Sequence, residues 1–138
     1  MASAGYSNTP LLKKLGIKET SKVLLFNPPP DYFTLLNSRL AGQLCAKGET
    51  PDIVHLFVTS QQEYETLLRS LKPFCKKNTA IAAWVSWYKK SAGIPTDVTE
   101  NSIRDYALQH DWVDIKVCAV SEQWSGLKLV VPVAKRST

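Results

Sequence analysis

Residues 22–32 read KVLLFNPPPDY. Four apolar residues, Val23 to Phe26, run straight into Asn27 and then into Pro28, Pro29 and Pro30. The apolar run has the length of a short buried strand. In an open α/β sheet that binds a cofactor, the first strand is followed by glycines, because backbone N–H groups must approach a phosphate or carboxylate. Proline has no N–H to donate and fixes φ near −65°. This stretch therefore predicts an α/β architecture whose usual cofactor loop has been replaced.

Working outward, Thr9-Pro10 opens a short helix that Gly16 closes, with Leu11, Leu12 and Leu15 inward. After the prolines, residues 31–40 suggest a helix ending near Gly42. Residues 43–46 suggest a short second strand, and residues 47–51 a turn. Residues 52–58, DIVHLFV, are nearly all apolar, the mark of a strand buried on both faces of a parallel sheet. Ser60 and Glu63 have the spacing of a capping box. Tyr64, Leu67, Leu68 and Leu71 then follow at helical intervals, with Pro73 marking the end. Residues 79–87 predict another strand. Asp97 and Glu100 give a second capping box, opening a helix to about His110. Residues 113–121 and 127–133 are strands joined by a turn at 122–126. A turn that short requires an antiparallel hairpin.

The chain of 138 residues, 44% of them hydrophobic, is long enough for one self-sufficient core. Residues 9–138 are expected to form a single domain after a flexible polar tail, residues 1–8. No apolar run has the length of a membrane span, and the first residues do not read as a signal peptide. Cys45, Cys75 and Cys118 are odd in number and widely spaced. They support neither a disulfide framework nor a metal site, and a reducing cytoplasmic setting is expected. Seventeen basic residues against twelve acidic give a net charge of +5. The lysine doublets do not extend into the long basic runs of nucleic-acid tails.

The order of elements predicts a three-layer αβα, Rossmann-like fold. Its mostly parallel sheet would have six strands in the order 2-1-3-4-6-5, the last strand antiparallel. This pattern resembles the class I methyltransferase fold, less about one strand–helix unit. The strings PLLKKLGIK, DIVHLFVTS, WVSWYKKSAGIPTDVTE and KVCAVSEQWSGLKLV resemble a family of short uncharacterised bacterial proteins of unknown function. The resemblance implies a methyltransferase-like fold and supplies no established activity. Methyltransferases of this class hold the ribose of S-adenosylmethionine with an acid after the second strand. Here Lys47-Gly48 stands there, with Glu49 beyond. Together with the proline loop, this argues against that cofactor, so no cofactor and no metal are expected.

Open α/β sheets bind ligands beyond the carboxyl ends of their strands. At that edge the sequence collects Asn27, Thr59, Ser60, Trp87, Lys89, Lys90, Ser91 and Trp124 as a candidate site. Two amines beside aromatic rings suit a small anion. His55, inside an apolar strand, reads as a buried, hydrogen-bonded histidine. Asp97 and Glu100 read as caps, and Cys118 as an inert mid-strand thiol. With no catalytic constellation, the first expectation is a non-enzymatic domain that binds a protein partner or a small anionic ligand. The alternative is an S-adenosylmethionine-dependent methyltransferase with an atypical cofactor loop, and weak nucleic-acid binding ranks third.

Overall fold

The computed structural model describes residues 10–135. The expected tail, and Thr9 with it, lie outside the described residues. Strands β1 (Val23–Phe26), β2 (Ile53–Phe57), β3 (Ala82–Tyr88), β4 (Val113–Ala119) and β5 (Trp124–Val130) form one sheet in the order β1-β2-β3-β5-β4. The first three run parallel, and β5 is antiparallel to both β3 and β4.

Helices cover both faces. Tyr64 and Leu68 of α3 (Gln61–Ser70) pack with Ile103 and Ala107 of α5 (Glu100–Gln109) against Val54, Leu56, Ala83 and Val85. On the other face, Tyr32 and Leu36 of α2 (Tyr32–Leu36) pack with Leu15, just after α1 (Leu11–Lys14), against Ile53, Phe57 and Trp84. Every residue of β2 is buried. Flanked on both sides by parallel strands and covered on both faces, β2 is apolar throughout except for His55. No helix among the described residues is long and apolar enough to cross a membrane.

Gly16, at φ +77°, ends α1 as expected: Ile17 N–H reaches back to Leu12 O (3.1 Å) and Gly16 N–H to Lys13 O (3.0 Å). Other expectations need correction. Among the described residues five strands form, not six. The expected strand at 43–46 contributes one parallel bridge, Leu44 to Val23. Its chain turns back at once, because Glu49 accepts the Ala46 N–H and Gly48 supplies a φ of +90°. Helix α2 stops at Leu36, well short of residue 40, because Asn37 adopts φ +55°.

Pro73 does not end a helix. It sits in the first turn of α4 (Lys72–Lys77), where its missing N–H costs nothing. The cap of α5 is Thr99, whose box partner is Ser102. Asp97 instead accepts the Gln61 N–H (2.8 Å), at the start of α3. The hairpin turns at 120–123, earlier than expected. Ser121 Oγ accepts the N–H groups of Gln123 and Trp124 (3.2 Å each), which makes Trp124 the first residue of β5.

Candidate functional site

A cleft of about 360 Å³ opens at the carboxyl ends of β1, β2 and β3. One wall is the loop after β1, Asn27 to Asp31. The opposite wall is Tyr88, Gln123 and Trp124, with Phe57, Thr59 and Glu63 between them.

Asn27 makes the turn that a glycine makes in cofactor-binding relatives of this architecture. It adopts φ +55°, which asparagine tolerates better than most side chains. Its amide donates to the Phe57 carbonyl (3.4 Å) and to Glu63 Oε2 (3.2 Å), tying β1 to β2 and α3. Glu63 Oε1 accepts the Thr59 N–H (2.8 Å). Ser60 Oγ accepts the Glu63 N–H (3.1 Å), so the Ser60 hydroxyl serves as the α3 cap. Among the described residues, Asp31 and Glu63 are the charged side chains that line the cleft, two carboxylates and no cation.

Of the residues singled out from sequence, Asn27, Thr59 and Trp124 meet in this cleft, and Ser60 adjoins it. The other four stand elsewhere. Trp87 packs on the opposite face of the sheet with Val98 and Trp112. The Lys89 N–H donates to Gln123 O (2.8 Å); burial raises the Cys118 thiol pKa, and the ammonium groups of Lys14, Lys116 and Lys89 offset part of that rise. Cys118 is half-buried. Lys90 and Ser91 are exposed in a 3₁₀ turn, Lys90–Ala92, and do not line the cleft. Sequence reasoning missed Asp31, Glu63 and Tyr88. The available signal for Glu63 was its spacing from Ser60, which reads as a helix cap alone.

Trp124 is buried, stacked on Tyr88 with ring centroids 4.1 Å apart and met edge-on by Phe57 at 5.0 Å. Beneath the aromatic wall runs a polar ladder. Hydrogen bonds join Tyr32 Oη to His55 Nδ1 (2.9 Å) and His55 Nε2 to Ser86 Oγ (2.7 Å). A neutral imidazole donates from one nitrogen and accepts at the other, so it satisfies both partners. Burial lowers the His55 pKa to about 3 and raises that of Tyr32. Serine, histidine and tyrosine stand in relay order, but all three are buried, so no substrate reaches Ser86.

S-adenosylmethionine does not fit here in its conventional pose. Three successive prolines remove the loop donors that would hold its carboxylate. Glu49, the nearest acid after the missing second strand, pairs with Lys22 (3.6 Å) at the amino end of β1, away from the cleft. Among the described residues no cluster of three His, Cys, Asp or Glu could hold a metal ion.

No family model matches the sequence, and no curated protein does. Solved structures do resemble it. A protein of the NADB-Rossmann superfamily from Streptococcus agalactiae superposes with a TM-score of 0.57 at 8% identity, over 94% of this chain and 71% of that one. The tRNA methyltransferase TrmK of B. subtilis gives 0.52 at 8% identity, over 90% of this chain and 66% of the other. A ribosomal protein L11 methylase from Lactobacillus delbrueckii gives 0.51 at 10% identity, over 88% and 74%. At such identities the likeness establishes a methyltransferase-like, Rossmann-type fold.

Proposed function

We propose that the domain binds a small ligand in the cleft behind the proline loop, and that this ligand carries a positive charge or several hydroxyl groups. The fold likeness puts S-adenosylmethionine first among such ligands, as a sulfonium held in an atypical pose. On this reading the protein is a methyltransferase with an unusual cofactor loop. The carrying observation is the pairing of Asp31 and Glu63 with no cation among the described residues that line the cleft. Two carboxylates in a concave site favour cations over anions.

One observation favours the second reading, a non-enzymatic domain that takes a protein partner or a small anion at the Lys89/Lys90 edge: the loss of three loop donors at Pro28, Pro29 and Pro30. Calorimetry on the full chain separates the two. The methyltransferase reading expects S-adenosylmethionine to bind, and to bind more tightly than S-adenosylhomocysteine, which lacks the sulfonium charge. Absence of heat from both compounds overturns it. Binding of an acyl phosphate that is lost in Lys89→Glu/Lys90→Glu would establish the second reading.

A further inference from the structure

At the other edge of the sheet the ends of α3, α4 and α5 converge on a larger groove, about 1220 Å³. Its floor is apolar: Leu68 from α3, Trp112 just before β4 and Val131 just after β5 are buried there, with half-buried Cys75 beside them. Its rim carries Arg69, Lys72, Lys76 and Lys135. Among the described residues the lining holds one carboxylate, Asp111, set facing Lys135 by a left-handed backbone (φ +67°) after α5. Lys135 Nζ lies 2.6 Å from Asp111 Oδ1. Lys72 and His110 also lie close enough to help hold that carboxyl below its ordinary pKa.

Four cations thus face one carboxylate. Lysines and arginines commonly gather at helix C-termini, where the backbone contributes about half a negative charge per helix. The ends of α3, α4 and α5, added to Asp111, still leave the cations in excess. These cations also stand around a hollow with a hydrophobic floor, whereas dipole compensation alone requires no hollow. The arrangement matches an anion with an apolar body, its charged end at the rim and its body on Leu68, Trp112 and Val131.

We infer that this groove is a second binding site, independent of the cleft at the carboxyl edge, and that it takes an organic phosphate. Arg69, Lys72 and Lys76 would hold the phosphate through charge-assisted hydrogen bonds, with the organic part on the apolar floor. The Arg69 guanidinium is pre-positioned, since its Nη1 donates to Tyr106 Oη (3.1 Å) and the Tyr106 ring stacks on His110. Neither contact uses up the guanidinium, which has five N–H donors.

The test is calorimetry on the full chain with phenyl phosphate, phenol, inorganic phosphate and a short oligoribonucleotide. Phenyl phosphate should bind at least about tenfold more tightly than phenol or inorganic phosphate, and more weakly as salt screens the rim. Lys72→Glu/Lys76→Glu, at exposed positions, should keep the native melting temperature and lose at least about tenfold in affinity. Lys76→Gln should show a smaller loss, and Asp31→Ala, in the other cleft, none. Equal affinity of the charge-reversed variant, or no advantage of phenyl phosphate over phenol and phosphate, overturns the inference. Binding of the oligoribonucleotide alone also overturns it, and gives the rim to a nucleic-acid backbone.

Discussion

Tyr88 and Trp124 are register partners across β3 and β5, and their rings lie nearly parallel, 25° apart. The contact closes the wall of the cleft and anchors the terminal hairpin to the parallel half of the sheet. Trp124→Ala should therefore destabilise the fold by about 3 kcal/mol or more, the usual cost of emptying a buried aromatic site. Trp124→Phe, which keeps a ring on Tyr88, should cost clearly less. Urea unfolding of the two variants checks the order. Equal stability of Trp124→Ala and the native chain would place the indole outside the core.

His55 makes stability depend on pH. Its pKa falls from 6.5 to about 3 on folding, because burial penalises the imidazolium. Between these values the unfolded chain binds more protons than the native one, so stability falls as the solution is acidified. This contribution is complete above pH 6.5, is lost progressively below it, and stops changing near pH 3. The expected slope approaches about 1.4 kcal/mol per pH unit in mid-window. Imidazole NMR shifts should show His55 still neutral at pH 5 in the native protein. A His55 resonance titrating near pH 6 would refute the sealed ladder.

Much of the sheet was legible because burial leaves a direct mark on sequence. Residues 52–58 are apolar because β2 is flanked on both sides and covered on both faces, and the short link between the last two strands allows only an antiparallel pair. The reduced second strand was not legible: its length depends on how Glu49 folds back on Ala46, a local closure without an apolar signature. Of the eight candidate site residues, Asn27, Thr59 and Trp124 line the cleft and Ser60 adjoins it. Trp84 and Trp87 are an odd number apart, so in one strand they face opposite ways; Trp84 shares the face of Trp124, and Trp87 lies on the other. Lys90 and Ser91 lie outside the cleft because the chain leaves the strand in the 3₁₀ turn Lys90–Ala92, and adjacency in sequence then says little about direction.

Asp97 belongs energetically to α3 rather than to the helix it precedes. Asp97→Ala and Ser60→Ala should each cost about 1 kcal/mol, the ordinary worth of a cap. Hydrogen exchange should locate both losses in the first turn of α3, while Thr99→Ala loosens the first turn of α5. If Asp97→Ala accelerates exchange in α5 alone, the contact with Gln61 is not what stabilises the helix.

Gly126 has no room for a side chain. A β-carbon there would lie 3.0 Å from Val120 Cγ2 and 3.3 Å from Trp84 Cε3. Trp84 is fixed, since its indole N–H donates to Leu15 O (3.0 Å). Gly126→Ala should lower stability by about 1–3 kcal/mol through overpacking. Thermal unfolding measures it, and an unchanged midpoint would mean that Val120 yields freely.

Three consecutive prolines give one wall of the carboxyl-edge cleft a shape that hardly varies with time. Each has its φ fixed by a ring, and Tyr32 N–H closes the turn on Pro29 O (3.0 Å). Such a wall loses little chain entropy when a ligand arrives, so the encounter should follow single-step kinetics, its observed rate rising linearly with ligand concentration and without a plateau. The residues that remove hydrogen-bond donors from the cleft thus also remove its need to close, and selectivity must come from shape and charge already in place.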